Sequence, residues 1–269
     1  MTYQESIVHM ANTLYHEPML ASQTVRSVIL AMQLRSLATG LNLGYLYPET
    51  LAEVEKFYQE PDDSEVMVRA LAGDRCNSLA GQREAGIPDK RSPVDRVLEY
   101  FDPLGQSALR RAKINTQRGQ LLESFAELMH LTDRTYQEQI AYIADLRENG
   151  TGYVKWVEHP RHPLNLPIKG LEHMPLNAVV ARIGLLIVAI ERYRSDCEEL
   201  PRNLQRLVPD YIPEVPLDPY DGQPMRYVAQ DQDYMLYSVY FDRVDDGGAP
   251  LEKTGESELK GDWRISIVQ

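Results

Sequence analysis

Val179, Ile183, Leu186, Ile190 and Tyr193 recur every three or four residues and line one stripe of a helix expected from about Leu176 to Asp196. Burying such a stripe is worth on the order of 10 kcal/mol gross before conformational entropy is subtracted, so the helix must pack against something. Its most apolar part, Val179 to Ile190, contains Arg182 and is shorter than the roughly 20 residues that span a bilayer. A helix buried in protein is therefore expected. Partners for it follow at once. Pro224 to Val228, Tyr234 to Phe241 and Trp263 to Val268 are short, rich in Tyr, Val and Ile, and separated by acidic turn-like stretches, which predicts a three-stranded antiparallel sheet. Such a sheet is marginal alone, and one apolar face laid on the 176–196 helix gives it a core.

From residue 3 to about 149 the pattern is helical almost throughout, broken at Pro, Gly and Asp clusters, and predicts five to seven helices. Met19 to Leu41 is apolar on several faces, through Val25, Val28, Ile29, Met32 and Leu37, which predicts a central helix wrapped by the others. Tyr47-Pro48-Glu49-Thr50 and Asp62-Asp63-Ser64 are helix starts, with Pro or acids where the first turn favours them. Leu121, Phe125, Leu128, Tyr136, Ile140 and Ile143 mark a long helix or a tight helical pair. No helical-repeat signature recurs, so one irregular bundle is expected rather than an array. The stretch 150–175, GTGYVKWVEHPRHPLNLPIKGLEHMP, is rich in Pro, Gly and His and lacks a period, which predicts a loop or extended crossover. The expected fold class is mainly α (α+β overall), a helical bundle over 1–172 followed by a helix plus small β-sheet module over 173–269.

Acids outnumber bases 40 to 28, a net charge of −12, which argues against nucleic acid and anionic membrane surfaces as partners. The N-terminus, MTYQESIVHM, has neither the basic flank nor the apolar run of a secretory signal. Cys76 and Cys197 are too few for a disulfide framework or thiolate site and are expected to be buried free thiols.

The C-terminal third carries a series of elements in fixed order. They are Ala189-Ile190-Glu191-Arg192-Tyr193, Leu200-Pro201, Leu204, Leu207-Val208-Pro209, Ile212-Pro213, Pro216-Leu217-Asp218-Pro219, Gly222, Tyr227, Leu236-Tyr237-Ser238, Asp242, Gly247-Gly248 and Asp262. In order and spacing they resemble the globular head of the major pseudopilin of type II secretion systems. That resemblance implies a helix end clasped by a three-stranded sheet, with a last loop that binds calcium. Asp242 and Asp262 match the acidic positions of the family loop best. Asp245 and Asp246 stand beside a one-residue length difference, and the backbone carbonyls of Leu236 and Ser238 are further ligands that the resemblance implies. Pilin-class chains open with a long apolar helix that anchors and polymerises them, whereas a helical body occupies that place here, so polymerisation is not expected. The whole chain is similar to uncharacterised membrane-anchored bacterial proteins that join a helical body carrying R-A-L-x-G-[ED]-R, here Arg69-Ala70-Leu71-Ala72-Gly73-Asp74-Arg75, to this same module.

Loop physics points the same way. About twenty residues without a period separate the strands ending near Phe241 and starting at Trp263, and ordered loops of that length have a special reason to hold together. Strand pairing would draw Asp242, Asp245, Asp246 and Asp262 close, and a hard divalent cation would turn their mutual repulsion into attraction. The same acids would also serve as solvated residues of a mobile loop. The spacing is not that of an EF-hand.

Other chemistry is sparse. His159 and His162, with Glu158 beside them and His173 downstream, are candidate zinc ligands of a metal-assisted hydrolase, although no helix fixes both rings as in HExxH. His9, His16 and His130 are expected to be packed or surface residues. No GxSxG, GxxxxGK[ST] or GxGxxG pattern occurs. Asp74 and Glu84 read as charges on a solvated helix face. Tyr211, Tyr220, Tyr227, Tyr234, Tyr237 and Tyr240 crowd the module, mostly for packing, with the remainder available as a binding face. The expectation is a non-enzymatic envelope-associated interaction or structural protein. It would be stiffened by calcium, have a protein partner, lie on the extracytoplasmic side by resemblance, and touch a membrane only through an anchor outside this chain.

Overall fold

The computed structural model describes residues 3–45, 51, 54–55, 58, 63–84, 116, 119–149, 165–254 and 258–268. Helix α1 (Tyr3–Tyr15) packs along α2 (Leu20–Asn42). The buried amide of Gln23 joins them, its Nε2 donating to the carbonyls of Leu14 at 2.8 Å and Glu17 at 3.1 Å. Leu34, Leu37 and Leu41 turn α2 toward the core. The expectation of a helix wrapped on all sides is overturned. Val25, Val28 and Met32 are 52%, 55% and 62% exposed, while Gln23, Arg26, Ser27 and Gln33 are buried. Apolar residues on several faces give no single stripe, so the period alone does not choose which side goes inward.

Helix α3 (Asp63–Glu84) starts where the Asp62-Asp63-Ser64 cluster predicts. Its Gly73 meets the turn between α1 and α2 so closely that a Cβ there would lie 1.7 Å from the Pro18 carbonyl oxygen. Only glycine permits this backbone approach. The predicted helical pair is α4 (119–131) and α5 (Tyr136–Asn149). Thr135 and Glu138 form a reciprocal capping box at its turn, with the Thr135 N–H donating to Glu138 Oε2 at 2.9 Å and the Glu138 N–H to Thr135 Oγ1 at 3.3 Å. The hydrogen bonds from Thr135 hold the Glu138 carboxyl below its ordinary range. The helix start at 47–50 and the loop over 150–164 lie outside the described residues.

Helix α6 runs from Asn165 to Cys197 with Pro175 inside it. The crossover predicted up to residue 175 is thus corrected over 165–175, because Ile168, Leu171 and Met174 on these turns are buried in a core that holds the helix despite the proline. The same helix feeds two apolar clusters. One joins Leu20, Leu71, Phe125, Leu131 and Leu171. The other joins Leu37, Ile183, Ile190, Leu236, Ile265 and Ile267. The boundary drawn at 172–173 therefore falls inside α6. Gly170–Cys197, at 28 residues and with an 18-residue window of mean hydropathy 1.8, is by length and composition long and apolar enough to cross a membrane. In this fold 72% of its apolar window is buried inside the protein.

After a 3-10 turn at Leu204–Leu207 come β1 (Arg226–Gln230) and β2 (Asp233–Ser238), then the short hairpin β3 (Glu252–Thr254) and β4 (Glu258–Lys260), and finally β5 (Trp263–Ile267). The sheet order is β1-β2-β5, antiparallel throughout, with Leu236 opposite Tyr227 on one side and Ile265 on the other. Its inner face and α6 share one cluster. The β3–β4 hairpin lies in the stretch expected to have no period. Cys76 and Cys197 are both free and, contrary to expectation, both exposed; each lies on the outward side of its helix.

Candidate functional site

Two acidic centres organise the C-terminal module. The first is Asp218, with 0% exposure. The segment around it folds back through Gly222 N–H to the Asp218 carbonyl at 2.8 Å and Met225 N–H to the Pro216 carbonyl at 2.9 Å. One oxygen of its carboxylate accepts from the Tyr220 amide at 3.0 Å and the Ser238 hydroxyl at 2.9 Å; the other accepts from the Val239 amide at 2.9 Å and from Arg226 at 3.0 Å. Burial still pushes its carboxyl above the ordinary range, outweighing these donors. Arg226 also pairs with Asp221 and reaches Asp245 Oδ2 at 3.4 Å. One guanidinium thus ties together three acids that would otherwise repel.

The second centre is the loop over 242–262. Gly247 and Gly248 both take positive φ, +68° and +81°, and a Cβ on Gly248 would strike the Met235 side chain at 2.2 Å. The turn they allow aims two amides at Asp262 Oδ2, Gly248 N–H at 2.7 Å and Asp246 N–H at 3.2 Å. Asp262 is 1% exposed, and its Oδ1 has no hydrogen-bond partner. Burial first, then the negative charges of Asp245 and Asp246, push its carboxyl upward. Asp245 goes the opposite way. Burial opposes the change, but hydrogen bonds from the Gly247 amide, Tyr237 and Arg226 hold its carboxyl below the ordinary range. Asp242 accepts from the Val244 amide at 3.1 Å through one oxygen and from the Gly261 amide at 3.2 Å through the other.

Strand pairing thus brings Asp245, Asp246 and Asp262 into one electrostatic neighbourhood, and Asp242 closes the same loop at its other end. Leu236 is fully buried in the central strand, paired on both sides, where carbonyls belong to the ladder. Ser238 ends β2 opposite Trp263, and its hydroxyl donates to Asp218 Oδ1 at 2.9 Å. Among the described residues, no three His, Cys, Asp or Glu side chains converge as a preformed metal cluster. The fit to a cation rests on the buried, half-unpaired carboxylate of Asp262, which a positive charge would complete.

Glu191 joins helix to sheet. It is buried on α6, accepts from the Tyr234 hydroxyl at 2.8 Å and pairs with Arg194; burial pushes its carboxyl upward. Of the six module tyrosines, Tyr220, Tyr234, Tyr237 and Tyr240 are buried in the interior, while Tyr211 and Tyr227 are half-buried and Tyr211 lines a groove. His173 lies on α6, partly buried; Glu158, His159 and His162 are outside the described residues. Asp74 is not a solvated charge. It accepts the Leu20 amide at the first turn of α2, and burial raises its carboxyl; the side chain of Glu84 lies outside the described residues. The Arg69–Arg75 element is therefore a seat for the α1–α2 turn, through Gly73 against Pro18 and Asp74 against Leu20. No local signal announces this role, because Asp74 lies in the middle of α3 and meets the start of α2 only in the fold.

A groove of about 660 Å³ runs between α6, the α4–α5 turn and residues 211–222. Its two guanidiniums are engaged with its walls. Arg182 donates to the Leu217 carbonyl at 2.7 Å and Arg192 pairs with Glu55 at 2.6 Å. Comparison of the chain with protein-family models, with curated proteins and with solved structures returns no match.

Proposed function

We propose that this chain is a non-enzymatic structural or interaction protein of the bacterial envelope whose C-terminal module is a pseudopilin-like head stiffened by calcium. The observation that carries the reading is Asp262, a carboxylate 1% exposed with one oxygen unpaired, set beside two further acids in a loop folded around it. A buried, uncompensated carboxylate costs stability, and a hard cation with oxygen ligands removes that cost. Asp262 Oδ1 would bind the ion directly, with Asp245 and Asp246 adding charge and Asp242 closing the loop. The helix clasped by β1-β2-β5 is the arrangement that the resemblance implies and supports the kinship. The extracytoplasmic side is where calcium is plentiful, a protein is the partner class proposed, and any membrane anchor lies outside this chain.

Thermal melts test the reading. Calcium at a large excess over its Kd raises Tm by several degrees through mass action, and Asp262→Asn abolishes the shift. The pH dependence supplies a second sign. Without calcium, the folded Asp262 carboxyl holds its proton more tightly than in the unfolded chain, so its contribution improves as pH falls through its raised folded value and is complete at the ordinary carboxylate value of the unfolded chain. With calcium, the ionised form is held instead, and stability is lost on acidification. Melts unchanged by calcium in the wild type at neutral pH reject the proposal.

A further inference from the structure

Between its buried Leu20 and Leu34, helix α2 turns an apolar stripe outward. Ala21, Val25, Val28 and Met32 are all exposed, and their spacing of four, three and four residues is that of a coiled-coil seam, about 16 Å long at the helical rise. Between Leu20 and Leu34 the one ionisable residue is Arg26, which is buried against Tyr15. In a chain with 25% charged residues, an outward helix face with no charge over that length has the composition of an interface centre. The polar side is turned inward for a purpose. Gln23 holds the C-terminal carbonyls of α1, and the Ser27 hydroxyl bonds the Gln23 carbonyl at 2.8 Å. Rolling the helix to hide the valines would break that joint.

We propose that this face is the contact between two copies of the chain, with the two α2 helices paired antiparallel about a two-fold axis. The seam complements itself in one register. Val25 of one copy meets Val28 of the other, and Ala21 meets Met32, so a small side chain faces a large one at both ends. The same register brings Arg35, exposed at the end of the stripe, to the N-terminal end of α2 in the second copy, where the preceding turn exposes Glu17, which makes two symmetric charge pairs. A parallel arrangement would set Met32 on Met32, Ala21 on Ala21 and Arg35 on Arg35, with neither complementarity. A contact this narrow gives a weak, concentration-dependent dimer.

Sedimentation equilibrium across the micromolar range reads the result. The wild type shifts from monomer to dimer with concentration, and Val28→Glu stays monomeric. Glu17→Arg and Arg35→Glu each weaken the dimer several-fold, and the two together restore it, which a mere loss of packing would not do. In a Cys76→Ser, Cys197→Ser background, Ala21→Cys combined with Met32→Cys yields disulfide-linked dimers on mild oxidation, whereas Met32→Cys alone does not. A wild type that remains monomeric throughout, whether because the stripe serves a different protein or a lipid surface, overturns the proposal. So does cross-linking through Met32→Cys alone.

Discussion

In the C-terminal module the buried carboxylate of Asp218 is met by Arg226, a hydroxyl and two amides. In α2, Gln33 is equally buried, yet neither its amide nitrogen nor its oxygen has a partner, and three large apolar side chains near it face outward. Around Asp218 the module's polar interior is explained by the fold of a single chain, since Asp218 and Arg226 each fix one segment against another. The sequence of α2 is not explained that way. Its inward polarity partly holds α1, and its outward apolarity has no role until something covers it.

The contrast can be broken at several points. Asp218→Ala should have the largest effect, because it strands the Ser238 hydroxyl, two amides and part of the Arg226 charge in the interior; urea unfolding should show a loss of about 3–5 kcal/mol. A loss below about 1 kcal/mol would mean that Asp221 and Asp245 suffice for Arg226 and that Asp218 is no hub. Gly73→Ala comes next. Its Cβ cannot fit 1.7 Å from the Pro18 oxygen, so the α1–α2 turn must lift, at a cost of about 1–3 kcal/mol, and the amides of α1 should exchange faster in the variant. A neutral result would mean that the turn is not seated on α3. Gln33→Met should act in the opposite direction, gaining about 1–2 kcal/mol by removing an unpaired buried amide at nearly constant volume. If it destabilises the protein, Gln33 has a partner in solution and the contrast between the regions narrows.

How much of this was legible depends on whether the signal is local. The three long strands announce themselves through Tyr, Val and Ile, and α3 through its Asp-Asp-Ser start; both are properties of a few neighbouring residues. The hairpin at 252–260 does not, because Glu252, Lys253 and Glu258 carry no strand preference. Pro175 reads as a helix breaker, and only the burial of Ile168, Leu171 and Met174 against distant helices overrides it. The inverted facing of α2 was hidden for a related reason, since residues apolar on several faces leave the choice to tertiary contacts. At the candidate site, the acids of the loop were visible, but the part played by Asp218 was not. Asp218 gains its role from Arg226, Ser238 and Val239, which only the folded sheet brings to it.

Pro175 has one more consequence. Met174, just before it, belongs to the cluster built on α3 and α4, whereas Leu176 and Val179, just after it, belong to the cluster beneath the sheet. With no N–H to offer the carbonyl four residues back, the helix is missing a rung where it passes from one interior to the other. The longest helix of the described fold is thus continuous in its path but weakest where the two cores meet, and separate loosening of the two halves is expected to begin at that joint.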